Sequence, residues 1–120
     1  MILIVEDDDA MRELLRTLLH SEGHEVISAQ DGIEAVQQYK THGEKIQLVI
    51  TDIEMPNLKG IEAYRQIKTM DPEAKVIFVS GALNTRLQEQ LQSEGVQGFF
   101  QKPFVPADIL AKVREMLSGE

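Results

Sequence analysis

Gln47-Leu48-Val49-Ile50-Thr51-Asp52 is the stretch that decides the fold, because a continuous run of apolar and β-branched residues ends there at an acid. A strand covered on both faces of a sheet has such an unbroken run, whereas a half-exposed strand alternates. The sequence therefore predicts a central strand over Gln47 to Thr51, with Asp52 directly after it. Four further strands are predicted at Ile2 to Val5, Glu25 to Ser28, Lys75 to Ser80 and Gly98 to Gln101.

Segments with a helical spacing of apolar residues separate these strands. The strongest covers roughly residues 9–21, and Gly23 follows it as a stop signal. Its apolar stripe consists of Met11, Leu14, Leu15, Leu18 and Leu19. The other four helices are predicted from Ile33, Val36 and Tyr39, from Ile61, Tyr64 and Ile67, from Leu83, Leu87 and Leu91, and from Ile109, Val113 and Leu117. Pro106 precedes the last set and suits the first turn of a helix.

Five pairs of a strand and a helix follow one another along the chain, which predicts a single α/β domain over residues 1–120. Five pairs are too few for an eight-stranded barrel, so we expect an open parallel sheet with helices on both faces. The carboxyl ends of parallel strands share one edge of the sheet, and ligands bind there. That edge is where functional residues are expected.

The composition excludes several classes of function. The chain has no cysteine, which excludes disulfides, thiolate metal sites and a cysteine nucleophile and fits a reducing cytoplasm. A net charge of -8 opposes direct binding to nucleic acid or anionic lipid. No apolar segment is long enough to span a membrane, and the apolar start, Met1 to Val5, runs into acids and lacks the features of a signal peptide. We expect a cytoplasmic domain.

Polar residues lie at the carboxyl ends of four predicted strands, where the fold would bring them together. Glu6 and Asp7 follow the first strand, Asp52 follows the third, Ser80 ends the fourth and Lys102 follows the fifth. Clustered carboxylates repel one another unless they are neutralised, and a hard divalent cation is the usual partner of an all-oxygen site. Mg²⁺ is the expected ion, and Mn²⁺ could replace it.

The same residues are suited to accepting a phosphoryl group. A carboxylate can act as a nucleophile and form an acyl phosphate, and Asp52 is the central candidate because it ends the middle strand. Lys102 would supply positive charge to one phosphoryl oxygen, and the Ser80 hydroxyl would donate a hydrogen bond to another. Each residue alone has a plainer explanation as a turn or strand-end residue, so the prediction depends on their joint placement.

Other polar residues have structural interpretations. Asp8 and Asp9 are expected to cap the first helix and to face its positive end. His20 and His24 are four residues apart, but Gly23 should end the helix between them, so no metal pair is predicted. The glycines match neither a dinucleotide-binding nor a phosphate-loop pattern, and no Gly-x-Ser-x-Gly motif is present.

Four segments together resemble the receiver domain of bacterial response regulators, and the likeness covers essentially the whole chain. They are ILIVEDDD at 2–9, VITDIEMPNLKG at 49–60, VIFVSGA at 76–82 and GFFQKPF at 98–104. The resemblance implies a flavodoxin-like fold with strand order 2-1-3-4-5. It also implies a phosphorelay domain that takes a phosphoryl group from the phosphohistidine of a histidine kinase or of a histidine phosphotransfer protein. Such a domain modifies itself and is not an enzyme with a separate substrate.

The resemblance assigns the phosphoacceptor and the metal ligands. Asp52 matches the phosphoacceptor and also a metal ligand. Asp7 matches a direct ligand, and Glu6 matches an acid that binds the metal through water. Glu54 would offer its backbone carbonyl. The pair Glu6-Asp7 departs from the Asp-Asp of many members, which is a common variation.

The resemblance also assigns a switch. Ser80 matches the hydroxyl residue that moves toward the phosphoryl group, and Lys102 matches the lysine that contacts it. The bond from Lys102 to Pro103 is expected to be cis. Phe99 occupies the place of the switching aromatic residue, where tyrosine is frequent, so no phenolic hydroxyl is present there. The expected output is a change in the face formed by the fourth helix, the fifth strand and the fifth helix, which would control an output domain or a downstream protein and could favour a dimer.

Three alternatives stay open at the level of sequence. A haloacid-dehalogenase-type phosphatase also uses a strand-end Asp, but it expects Asp-x-Asp after its first strand, whereas Asp52-Ile53-Glu54 follows the third. A flavodoxin needs a phosphate-binding loop after the first strand, where this chain has acids. A receiver-like module that takes no phosphate would not need the complete set of acid, serine and lysine. The sequence does not distinguish a stand-alone regulator from part of a longer protein, such as a hybrid kinase.

Overall fold

The computed structural model describes residues 1–55 and 57–118, along which strands and helices alternate. The strands are β1 (Ile2–Val5), β2 (Val26–Ala29), β3 (Leu48–Asp52), β4 (Val76–Ser80) and β5 (Gly98–Gln101). The helices are α1 (Asp9–Ser21), α2 (Gly32–His42), α3 (Gly60–Met70), α4 (Thr85–Ser93) and α5 (Pro106–Leu117).

The strands form one parallel sheet in the order β2-β1-β3-β4-β5. β1 pairs with β3 from Ile2 beside Leu48 to Val5 beside Thr51, so the two strands end level with each other. Every residue of β1, β3 and β4 is buried, which is why their sequences are continuously apolar up to the carboxyl edge. The predicted flavodoxin-like open sheet is confirmed.

Two apolar clusters cover the two faces of the sheet. On one face, alternate residues of the central strands pack against α1 and α5 through Leu15, Leu19, Ile109 and Val113. On the other face, the remaining strand residues pack against α2, α3 and α4. Phe78 is fully buried in this second cluster, and its ring meets that of Tyr64 edge to face at 5.6 Å between centroids. This packing fixes the strand ends that carry the polar residues.

The bounds of several elements follow from their caps. Asp8 caps α1 by accepting the N–H of Met11 at 3.0 Å, as the sequence predicted. α1 ends at Ser21, before Gly23 with its positive φ of 87°, so His20 and His24 do not share a helix.

Some expectations about the helices and strands were wrong. Leu83 precedes α4, because Asn84 caps that helix by accepting the N–H of Leu87. Leu14 and Ile33 were predicted on buried stripes, yet both are exposed because the sheet covers only a narrower sector of α1 and α2. β2 and β3 are each shifted by one residue from their predicted bounds: Val26 is the first residue of β2 and pairs with Ile2, and β3 runs from Leu48 to Asp52.

Within the described residues, the structure contains no helix that is both long and apolar enough to cross a membrane.

Candidate functional site

The carboxyl edge of the sheet brings together the polar residues predicted from four different strands. Asp52 is the last residue of β3, Ser80 ends β4, and Glu6 and Lys102 directly follow β1 and β5. The ammonium of Lys102 donates to Oδ2 of Asp52 at 2.8 Å and to Oε1 of Glu6 at 3.1 Å. Glu6, Asp52 and Ser80 are only 2%, 6% and 1% exposed, so these groups interact largely out of water. One ammonium thus lies between two buried carboxylates.

Asp7 completes an acidic cluster with the two buried carboxylates. One carboxylate oxygen from each of Glu6, Asp7 and Asp52 lies within 4.8 Å of the others. Asp7 is exposed, so the cluster opens to solvent on its side. Three hard oxygen donors beside a single lysine are a donor set that fits Mg²⁺ or Mn²⁺. The cluster could therefore hold a divalent metal ion.

Burial controls the ionisation of the cluster. Burial raises the pKa of the Asp52 carboxyl above its usual range, and the hydrogen bond and charge of Lys102 oppose this only in part. Burial likewise raises the pKa of Glu6, although the N–H of Asp8 donates to its Oε2 at 3.2 Å. Burial disfavours the charged form of Lys102, but its hydrogen bonds to Asp52 and Glu6 outweigh this and raise its pKa. The single charge of Lys102 therefore does not fully compensate the burial of the two carboxylates.

The segment after β3 holds Asp52 in place. The N–H of Glu54 donates to Oδ1 of Asp52 at 3.2 Å, which turns the chain sharply at the strand end. Gly60 begins α3 so close to β3 that a Cβ there would lie 2.1 Å from the carbonyl oxygen of Asp52. Asn57 has a φ of 66° and donates to Oδ2 of Asp31, the cap of α2, at 2.7 Å. These contacts tie Glu54 and Gly60 to the end of β3 and Asn57 to the cap of α2.

Ser80 lies at the site, but its hydroxyl bonds a residue for which the sequence predicted only a backbone role. Its Oγ donates to Oε1 of Glu54 at 2.7 Å and lies 3.0 Å from Oε2. The same Oγ accepts the N–H of Ala82 at 3.0 Å. The carbonyl of Ser80 accepts the N–H of Lys102 at 2.8 Å. The backbone of Ser80 is held by β5, and its side chain is held by Glu54.

Phe99 lies on β5 opposite Phe78 of β4 and is half-buried against the cluster that includes Leu83 and Leu87. The peptide bond between Lys102 and Pro103 is cis.

Three contributions to the site were missed by the sequence reasoning. Arg12 of α1 donates to the carbonyl of Glu6 at 2.8 Å and is also paired with Asp9. The Glu54 carboxylate reaches Ser80, and Asp31 is linked to Asn57. A basic residue one turn into α1 was a usable signal for the first contact. The other two depend on loop conformation, which no spacing in the sequence reports.

Comparison with known proteins finds relatives that align with nearly the whole chain. The sequence profile described as the response regulator receiver domain matches residues 2–114. The sensor kinase CckA of Brucella abortus is 34% identical over 119 residues, which are 99% of this chain but 13% of that protein. The chemotaxis protein CheY of Bacillus subtilis is 34% identical over 118 residues, which are 98% of this chain and 97% of that one.

A solved structure has the same architecture. The complex of CheX, CheY, BeF3 and Mg²⁺ from Borrelia burgdorferi contains a chain that is 34% identical to this one, with a TM-score of 0.92. The match covers 97% of this chain and 87% of that chain. The fold, the edge of the sheet that gathers the acids, and the profile over nearly all residues agree: this chain belongs to the response regulator receiver domain family of two-component signalling and is not a turnover enzyme with a separate substrate.

Proposed function

We propose that Asp52 accepts a phosphoryl group from the phosphohistidine of a histidine kinase or of a histidine phosphotransfer protein. The observation that carries the proposal is the pairing of buried Asp52 with Lys102 at 2.8 Å beside two further acids. A carboxylate oxygen of Asp52 would form a bond to phosphorus while the bond from phosphorus to the imidazole nitrogen breaks. The imidazole leaves with the electron pair of that bond.

The acidic cluster is proposed to hold Mg²⁺, or Mn²⁺ in its place. Asp7 and Asp52 would be direct ligands together with the backbone carbonyl of Glu54, and Glu6 would act through water. Both Glu6 oxygens already accept hydrogen bonds, from Lys102 and from the N–H of Asp8, which supports a less direct role for it. When bound, the ion would supply positive charge to the phosphoryl oxygens. The Borrelia burgdorferi complex with BeF3 and Mg²⁺ supports this assignment by similarity.

Lys102, Ser80 and Phe99 are proposed to convert phosphorylation into a change of shape. Lys102 would move its hydrogen bond from Asp52 to a phosphoryl oxygen, and Ser80 would donate to another. Movement of Ser80 would alter the segment before α4, whose Leu83 packs against the same apolar cluster as Phe99. The face of α4, β5 and α5 would then bind an output domain, a downstream protein or a second copy of the domain.

The setting of the domain is also part of the proposal. We place one receiver domain over residues 1–120, in the cytoplasm, where its phosphodonor would act. Because relatives include both a protein of similar length and a much longer sensor kinase, the chain could work alone or within a longer protein.

The test is the intact mass of the protein after incubation with acetyl phosphate or phosphoramidate. We expect one phosphoryl adduct that requires Mg²⁺ and is absent from Asp52→Asn. Asp71→Asn is a matched control, because Asp71 lies beyond the opposite end of the sheet, after α3. An adduct that persists in Asp52→Asn would overturn the assignment of the acceptor. No adduct on the wild type under any condition would favour a module that binds partners without phosphate.

A further inference from the structure

The hydroxyl of Ser80 is already committed to a carboxylate in this structure. It donates to Glu54 at 2.7 Å, and it is buried while the Glu54 side chain is exposed. A serine hydroxyl has a single proton to donate. While that proton is bonded to Glu54, it cannot be donated to a phosphoryl group on Asp52.

We propose that Glu54 is a positioning residue that acts as a latch: its carboxylate holds the Ser80 hydroxyl until Asp52 is phosphorylated. The proposal deepens the proposed function and rests on it. Glu54 offers Ser80 an anionic oxygen acceptor of the kind that the phosphoryl group would later offer. The two acceptors compete for one donor, so the latch should favour the unphosphorylated arrangement of the site.

The position of Glu54 explains how the latch would open. Its N–H donates to Oδ1 of Asp52 at 3.2 Å, so Glu54 lies beside the carboxylate that would carry the phosphoryl group. Phosphorylation replaces the single negative charge of the Asp52 carboxylate with roughly 1.5 to 2 negative charges on the phosphoryl group, a net gain of roughly 0.5 to 1, and places them closer to Glu54. The phosphoryl group would therefore repel the Glu54 carboxylate. Since that carboxylate borders solvent, it can turn outward and release Ser80.

The test measures the affinity of the intact chain for beryllofluoride in the presence of Mg²⁺. Beryllofluoride imitates the phosphoryl group without a covalent reaction. Glu54→Ala removes the latch and keeps the backbone carbonyl, so it should bind beryllofluoride about 5- to 10-fold more tightly, as expected for loss of one competing charge-assisted hydrogen bond. Glu44→Ala, which removes an exposed acid near the opposite edge of the sheet, should leave the affinity unchanged.

A double-mutant cycle separates a latch from simple charge repulsion. In a Ser80→Ala background, the latch predicts that Glu54→Ala tightens binding much less, because no hydroxyl remains to be released and only the relief of charge repulsion is left. The same gain in both backgrounds would overturn the proposal and leave only the repulsion between Glu54 and the anion.

A second measurement keeps the latch testable if the proposed function fails. Failure of the proposed function would appear as a wild type that binds no beryllofluoride and takes no phosphoryl group. Hydrogen exchange of the Ala82 amide in the protein without added ions then reports on the latch, since that N–H donates to Oγ of Ser80. Exchange about tenfold faster in Glu54→Ala supports a held Ser80. Unchanged exchange shows that Glu54 does not hold it.

Discussion

Lys102→Met removes the one ammonium that lies between two buried carboxylates. Lys102 is 2.8 Å from Asp52 and 3.1 Å from Glu6, and those side chains are only 6% and 3% exposed. Removing one partner of a buried ion pair costs about 3–5 kcal/mol. The Lys102 side chain is 25% exposed and the cluster opens to solvent at Asp7, so we expect a loss somewhat below that range, about 2–3 kcal/mol.

The loss of stability caused by Lys102→Met should become smaller as the pH falls. The pKa values of Glu6 and Asp52 are raised in the folded protein even with Lys102 present, and the substitution raises them further. The folded variant then binds protons that the unfolded chain has released. The loss of stability is therefore greatest above those raised values and shrinks as the pH falls through them.

The assay is urea unfolding of both proteins near neutral pH and at a pH about two units lower, with and without Mg²⁺. For a domain of 120 residues, a loss of about 2–3 kcal/mol corresponds to a fall in Tm of roughly 10 °C. Mg²⁺ should restore part of the stability, because it offers the carboxylates a new counter-charge. Lys45→Met, at an exposed lysine in the loop before β3, should change the free energy of unfolding by less than about 0.5 kcal/mol. A loss for Lys102→Met that is below about 0.5 kcal/mol, or equal at both pH values, would refute the reasoning.

Three further predictions concern the framework and the metal site. Gly60→Ala should lower the free energy of unfolding by about 2–3 kcal/mol in urea titrations, because its Cβ would lie 2.1 Å from the carbonyl oxygen of Asp52. As a control, Gly81→Ala should change the free energy of unfolding by less than about 1 kcal/mol, because its Cβ would meet no other atom within 4 Å. Asp31→Ala should cost about 1–2 kcal/mol through loss of a helix cap. Hydrogen bonds from backbone N–H groups hold the pKa of Asp31 below its usual range, so this cost should be present at neutral pH and vanish as the pH falls through that lowered value. Mg²⁺ at about 100 times its Kd should stabilise the wild type by about 2.7 kcal/mol in thermal unfolding, and Asp7→Asn should lose most of that gain.

Each of these predictions has an outcome that contradicts it. Equal effects of the two glycine substitutions would show that the α3 start can move away from β3 at little cost. If Asp31→Ala lowers the free energy of unfolding by the same amount at every pH, the loss comes from packing and not from the charged cap. Full stabilisation of Asp7→Asn by Mg²⁺ would place the ion outside the acidic cluster.

The sequence predicted the arrangement of the strands more closely than that of the surface. Ile2 to Val5 and Val76 to Val79 are continuously apolar because both sheet faces are covered, and this pattern located the central strands. Parallel strands end at a common edge, so the convergence of Asp52 with Lys102 followed from topology alone. The prediction that Leu14 and Ile33 are buried was wrong. Helical spacing shows which side of a helix faces the sheet, but not how wide a sector of the helix the sheet covers.

The sequence did not predict the details of the site that depend on loop conformation. The resemblance assigned Glu54 a backbone role, and nothing in the spacing indicated that its side chain would turn toward Ser80. The contact between Asn57 and Asp31 joins two loops that are 26 residues apart and exists only because α2 and α3 pack side by side. Such contacts are set by a few backbone torsions, which sequence patterns of apolar residues do not report.

The measurement that tests the central claim most directly is the location of the phosphoryl group. The protein is phosphorylated with acetyl phosphate and Mg²⁺, the acyl phosphate is reduced with borohydride to homoserine, and the modified residue is located by tandem mass spectrometry. We predict homoserine at position 52 and no reduced side chain at any other acid. Homoserine at position 7, or the longer hydroxynorvaline that a reduced glutamyl phosphate gives at position 6 or 54, with Asp52 unmodified, would contradict the account.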